Sequence, residues 1–579
     1  MFLRSTTRRK DGKLHRYWSV VENRRVRGGR TVQKTVLYLG EIGDSERAVW
    51  CRTIDGLQGE RYEALSLFPE DREPPPTCRA VRVHLERLEL SRPRQWGACW
   101  LALELWDQLQ LDGFWGERLR PSRQGTRWLN VLKTLVCYRL IDPGSEWRLH
   151  RLWFDRSALA DLLGEDFAIA QKDTLYRCLD KLTAHKQALF GWLRERWGEL
   201  FGVGYEVLLY DLTSTYFESD PPFGETDKRR FGYSRDKRPD CVQVVVALVI
   251  TPEGFPVAYE VLAGNTADKT TLGSFLSQIE RLYGKLSRVW LMDRGIPTEE
   301  TLEQMRRSRP PVHYLVGTPK GRLTRYEAAL AGQPWHAVRE SVEVKLLAEE
   351  EELYVLARSG ERMAKERAMR RRQLKGLWKR LGELSRMRLS RDQLLLKLGA
   401  ARQQWPSAWR LVRVETPEKR KPTLRYELDK AKLRRVRRRE GRYLLRTNLT
   451  GGRPEEFWRL YMQLVAVEEA FGNIKGDLAI RPIHHQLESR IEAHIFVTFL
   501  AYCLHVTLAQ RLKGCAPGWT PRSALEQLAA IQMIDVKAPT TDGRRLEMAR
   551  YTQPDKIQQL VLAMLKLRLP AQAPPKIQG

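Results

Sequence analysis

Residues 207–217 read VLLYDLTSTYF, and the run of segments that follows decides the fold. VQVVVALVI (242–250), FPVAYEVLAG (255–264), RVWLMD (288–293) and VHYLVGT (312–318) are short, apolar and rich in β-branched residues, the composition of strands. A helical run, GSFLSQIERLYG (273–284), precedes the fourth of these strands, and a short helix precedes the fifth. Three adjacent strands, then helix, strand, helix, strand and a final helix is the order of an RNase H-like mixed α/β sheet. Asp211 and Asp293 sit at the C-terminal ends of the apolar runs of strands one and four, which that topology sets side by side.

The final helix is read from residues 456–475, EFWRLYMQLVAVEEAFGNIK. Tyr461, Glu468 and Lys475 recur every seven residues. At about 100° per residue they drift only about 20° per step and share a face. Glu469 is rotated about 100° from that face. Two strand-end aspartates and a helix-borne glutamate can hold a pair of hard divalent cations, the apparatus of metal-assisted phosphoryl transfer. Such a site needs no covalent nucleophile, so the Ser and Thr of DLTSTYF at most support it. Singly, a strand-end Asp caps turns and a helical Glu faces water; the order of all three acids on these elements carries the reading.

Composition narrows the partner. The chain has 579 residues, 42% of them hydrophobic, with 18 Trp, enough for several packed domains. Its formal net charge is +29, which predicts a polyanionic partner, nucleic acid first. The eight cysteines are scattered without a CxxC pair or paired histidines, which argues against a disulfide framework or a zinc site and suits a reducing cytoplasm. The opening MFLRSTTRRKDGK lacks the apolar core of a secretory signal. HIFVTFLAYCLHVTLA, from His494, is too short for a membrane span and reads as a buried helix.

The expected organisation runs as follows. Residues 1–50 are a β-rich arm with a hairpin turning at the Gly-Gly of RGGRT, and 51–96 are a linker region containing PEDREPPPT. Residues 97–200 form a helical, DNA-binding domain, in which KDTLYRCLDKL offers Asp173 as an N-cap and Arg177 and Lys181 on one face. The RNase H-like core occupies 201–318 and 455–515, with a large basic insertion at 319–454 and a C-terminal tail at 516–579. Within the insertion, Leu374, Leu377, Leu381 and Leu384 step like a coiled coil under dense basic charge, and KLRRVRRREGR (432–442) continues that charge toward phosphate contacts.

The stretch Tyr461, Leu464, Glu468, Lys475 resembles the Tyr-x2-Arg-x3-Glu-x6-Lys signature of bacterial insertion-sequence transposases of the Asp-Asp-Glu (DDE) type, the insertion-sequence-four group. GYSRDKRPDCVQVVVALVITPEGFPVAYEVLAGNT, LMDRG and YLLRTNL are similar to the long-insertion subgroup, and the likeness runs from about residue 14 to 510. It implies cleavage at transposon ends and joining of 3′ ends to target DNA, with two Mg²⁺ ions per site and Mn²⁺ as a substitute. It assigns Asp211, Asp293 and Glu468 as catalytic metal ligands and Tyr461 and Lys475 as contacts to end DNA; Arg294, beside Asp293, is expected as a further DNA contact. The chain departs from the signature at Leu464, where the pattern has Arg, and at Gly472, where the resemblance implies an Arg after the Phe.

The expected partners are transposon-end and target DNA, bound by a homodimer on paired ends, in the cytoplasm at the bacterial nucleoid and with no membrane. Two other readings use the same residues: an RNase H-fold nuclease without strand transfer, and a non-catalytic DNA-binding descendant. The latter should have lost an acid, and all three are present.

Overall fold

The computed structural model describes residues 2–10, 13–25, 31–43, 46–47, 50–51, 82–218, 224, 227–268, 271–284, 287–293, 295–318, 323–415 and 424–578. Strands β1 (Phe2–Lys10), β2 (Lys13–Arg25) and β3 (Thr31–Gly40) form an antiparallel sheet in that order, one strand more than the expected hairpin. The RGGRT turn and PEDREPPPT lie outside the described residues. The small sheet does not stand alone: Val20, Leu37 and Leu39 join the main core, and nearby Trp50 stacks on Trp519 and donates its indole N–H to the Pro517 carbonyl at 2.6 Å.

After β4 (Glu89–Gln95) comes a helical layer: α1 (Gly97–Gln108), α2 (Trp128–Ile141), α3 (Lys172–Leu179) and α4 (Lys186–Phe201). Trp100, Leu101, Leu105 and Trp106 of α1 are buried, as the apolar spacing predicts. Gln171, not Asp173, occupies the N-cap of α3, and Lys181 lies beyond its end.

The central sheet has nine strands. Its first part is β5 (Val207–Phe217), β6 (Val242–Ile250), β7 (Pro256–Ala263), β8 (Val289–Met292) and β9 (His313–Gly317), with helices α5 (Leu272–Tyr283) and α6 (Glu299–Arg307) before β8 and β9. These strands lie in the order β7-β6-β5-β8-β9, with β5, β8 and β9 mutually parallel, the RNase H-like arrangement. β6 is buried along its whole length, as a strand covered on both faces must be.

Part of the basic insertion is sheet. β10 (His336–Arg339), β11 (Val342–Glu349), β12 (Glu352–Ser359) and β15 (Arg442–Thr447) continue the sheet beyond β9 as antiparallel neighbours. Between β12 and β15 stand α7 (Gly360–Arg386), α8 (Arg391–Gln404), the β13 (Val412–Glu415) and β14 (Arg425–Leu428) ribbon, and α9 (Lys430–Arg439). Leu377, Leu381 and Leu384 pack there against Leu394 and Leu398 of α8 in a small separate core, so their spacing serves a helical subdomain and no coiled coil. α9 buries none of its residues, and seven of its ten are Lys or Arg.

α10 (Pro454–Lys475) packs against β5 and β8, and α11 (Glu488–Cys515) runs beside α2. α11 has 28 residues, longer than the apolar run suggests, and is long and apolar enough to cross a membrane. Within the fold 94% of its apolar window is buried, so it is a core helix. The C-terminal segment also folds: α12 (Pro521–Ala529), β16 (Gln532–Pro539), β17 (Arg545–Tyr551), α13 (Lys556–Met564) and β18 (Lys576–Gln578). β16 pairs with β4, so residues expected as linker and tail meet in one sheet.

Candidate active site

Asp211 and Asp293 are placed by the parallel pairing of β5 with β8. The register sets Tyr210 opposite Met292, and the next residue on each chain is an aspartate. Adjacent strands lie about 4.8 Å apart, so the two carboxylates project from neighbouring positions. Asp211 is not the last residue of its strand, because β5 continues to Phe217 against β6. It is the point at which the parallel partner stops, which opens the sheet beside it.

Burial pushes the Asp211 carboxyl up to about 6. The Leu212 amide, 2.8 Å from Oδ1, and Arg235 oppose that shift, while Asp293 and Asp268 reinforce it. Arg235 acts from a distance because its guanidinium is bound to Asp268 at 2.7 Å. A half-buried carboxylate beside a second one, acted on by an arginine that is itself bound to Asp268, has the donor chemistry of a site for an exogenous cation.

Glu468 is exposed on α10, the helix that packs over β5 and β8. Tyr461 lies one turn pair earlier, ringed by Tyr443 at 5.3 Å and Trp458 at 5.8 Å. Burial raises its hydroxyl pKa, and Tyr443, Asp293 and Glu468 add to the effect. Asp293 and Glu468 therefore both act on one phenol, and Asp293 also acts on Asp211. Glu469 faces elsewhere: it lines a cavity with Tyr502 and His505, and its charge raises the Tyr502 hydroxyl after burial has done so.

Lys475 is half-buried and donates to Asp236 at 2.7 Å; Arg481 also pairs with Asp236. Burial lowers the Lys475 pKa despite that partner. Arg294 lies outside the described residues. Leu464 packs against the main core, which accounts for an apolar residue at that place in the helix. Gly472 is exposed, and a Cβ there would meet nothing within 4 Å.

Sequence reasoning missed Arg235, Asp236 and Asp268. Arg235 and Asp236 lie in SRDKRPD of the β5–β6 loop, and Asp268 lies in the loop after β7. Among the described residues, the group whose ligand atoms lie within 4.8 Å of one another is a different one: Glu146, His485 and His494. The three predicted acids do not form so tight a group. In the buried cluster, His485 Nε2 is 3.2 Å from Glu146 Oε2, and His494 Nε2 is 3.2 Å from the Ile480 carbonyl. The Arg139 guanidinium stands 3.3 Å from His494 Nδ1, which leaves that lone pair engaged and sets a fixed positive charge where a metal would bind.

An RNase H-like sheet with paired carboxylates at the open end of its central parallel strands defines an enzyme class that acts on phosphodiesters. A family model described as "Transposase DDE domain" matches residues 203–504, more than half of the chain, and the chain belongs to that family. A second model, "IS1634 family transposase, N-terminal domain", matches residues 3–63. No curated protein matches. A solved piggyBac transposase synaptic complex with hairpin DNA is similar at a TM-score of 0.36 and 8% identity, covering 74% of this chain and 79% of that chain.

Proposed function

We propose that this transposase cuts the ends of its own element with divalent metal and transfers the 3′ ends into target DNA, with Asp211, Asp293 and Glu468 as metal ligands. The observation that carries the assignment is Asp211: a carboxyl pushed up to about 6 by burial, next to a second aspartate, where the β5–β8 ladder ends. Bound there, a pair of Mg²⁺ ions, or Mn²⁺ in their place, supplies an activated water or 3′-hydroxyl and charge stabilisation for the leaving oxygen. The protein's part is to hold three carboxylates on rigid elements, to exclude water around Asp211, and to keep the Tyr461 hydroxyl protonated as a donor toward phosphate. Lys475 and Arg481 fix Asp236, and through it the loop that carries Arg235.

One chain carries one set of these acids and an element has two ends, so the working unit is a homodimer on paired ends, acting at the bacterial nucleoid. The exposed cations of α7 and α9 supply phosphate contacts, and log affinity for duplex should fall with log salt by about 0.9 per contact. The test uses duplexes carrying the inverted repeats that bracket the gene, with Mg²⁺ and a plasmid target. Cleaved ends joined to the plasmid support the proposal. Cleavage without joining would favour the nuclease reading, and binding without cleavage the non-catalytic one.

A further inference from the structure

The loop from β5 to β6 is fixed at nearly every residue of its second half. Arg230 exchanges both backbone hydrogen bonds with Gln243 of β6, at 3.1 and 2.9 Å. Gly232 lies so close to the Gly264 carbonyl that a Cβ would come within 2.1 Å of its oxygen. The buried Gln243 amide donates to the carbonyls of Tyr233 and Gly264 at 3.1 and 2.9 Å. The Arg235 amide donates to Ser214 on β5 at 3.3 Å, three residues past Asp211. Asp236 is clamped by Lys475 and Arg481.

Two side chains on this anchored strap are not used to hold it. Phe231 is 52% exposed and Tyr233 is 84% exposed, the most exposed large apolar side chain of the chain's described residues. Neither ring contacts another aromatic or a cation among the described residues, although such contacts are common elsewhere in this molecule. Ordering two aromatic rings in water brings no stability, so a rigid strap that presents them is explained by a partner. That strap, residues 227–241, carries six Lys and Arg against three Asp, and Lys237 is exposed. It ends against the residues that surround Asp211. A partner that is anionic, planar in part and delivered to the acids is nucleic acid with its bases accessible.

We propose that Phe231 and Tyr233 form a stacking pair for unpaired nucleobases of the DNA end that is presented to Asp211, Asp293 and Glu468. This rests on the DNA-cutting reading of that site. Aromatic faces receive bases of any sequence, and cations alongside track the backbone. The rings need no conformational change, because the strap is anchored by β6, Gly264 and Ser214 before DNA arrives.

The test compares the full chain with Phe231→Ala, Tyr233→Ala, the double variant and the conservative Tyr233→Phe. Each is bound without divalent metal to a duplex carrying the inverted repeat, and thymines are probed with permanganate. The parent should render thymines at the terminal base pairs reactive. Each Ala substitution should weaken end binding roughly 10-fold; the double variant should return the reactivity to that of free duplex and slow cleavage in Mg²⁺ at least 10-fold. Tyr233→Phe should match the parent, and thermal unfolding should be unchanged in all. A double variant with parental binding, reactivity and cleavage overturns the pair while leaving the transposase reading in place. So does a variant that cuts normally but no longer dimerises by light scattering, since the rings would then face a second copy. A parent that neither binds nor cuts the duplex overturns the underlying DNA-end reading.

Discussion

Asp211 and Glu146 are both carboxylates withdrawn from water, and the fold treats them in opposite ways. At Glu146, burial would raise the pKa, but the His485 and His494 imidazoles set against the carboxylate hold it well below the usual carboxylate range, with Arg139 3.9 Å away. The charge is compensated from within. At Asp211 burial wins and the carboxyl rises to about 6, while Arg235, which opposes that rise, is bound to Asp268. The fold thus compensates one buried acid with histidines and leaves the other raised by its burial.

That contrast has a geometric origin. Glu146 lies at the junction of the helical layer with the chain leaving α10, and its network joins α2 through Arg139 to α11 through His494. Burial and the nearby guanidinium push the His494 imidazole down to about 4, so it is neutral at physiological pH. Asp211 lies on a sheet edge left open where β8 stops.

The largest expected effect would break the comparison outright. Asp211→Asn, Asp293→Asn and Glu468→Gln should each lower end cleavage by at least about 10³-fold, while Glu146→Gln and Glu469→Gln should cleave at close to the parental rate per folded molecule. Single-turnover cleavage of labelled end duplex measures this. A catalytic Glu469 and a dispensable Glu468 would mean that the face shared with Tyr461 is not the working one.

The second effect is on stability. Glu146→Ala leaves Arg139 buried without its carboxylate and should destabilise the protein by about 3–5 kcal/mol, whereas Asp211→Ala should not destabilise comparably. Urea denaturation midpoints with equal slopes would show it. A mild Glu146 variant would place the compensation elsewhere in the cluster.

Only one of these two sites was legible in the sequence. Asp211 and Asp293 end apolar runs and Glu468 shares a heptad stripe, so local pattern announces them. Glu146, His485 and His494 have no mutual spacing, and only the docking of α11 on α2 brings them together. Arg235 and Asp268 are hidden for the same reason. The strands β10, β11, β12 and β15 were read as part of a basic insertion because surface charge dominates its composition, although Val342, Val344, Val355 and Leu445 form a buried alternating face. β16 finds its partner in β4, more than four hundred residues earlier, a pairing no local signal encodes.

The smallest expected effect is the most specific to the contrast, because the two carboxyls should bend the pH–stability curve in opposite directions. An acid whose folded pKa lies near 6 and whose unfolded value is near 3.9 binds more protons when folded between those limits. Its cost is absent below about pH 4, grows as the pH rises, and is complete above pH 6, at about 2–3 kcal/mol before allowance for its partial exposure. Glu146, held low, contributes stability that is present at neutral pH and is lost as the pH falls through its folded value. In EDTA, Asp211→Asn should therefore match the parent's melting temperature near pH 4 and exceed it increasingly up to about pH 7. Adding Mg²⁺ should raise the parent's melting temperature and leave the variant's unchanged, because only the parent keeps the charge that the ion would neutralise. A constant offset between the two across that pH range would show that Asp211 is already compensated in the metal-free protein, and the distinction between the two buried acids would fall.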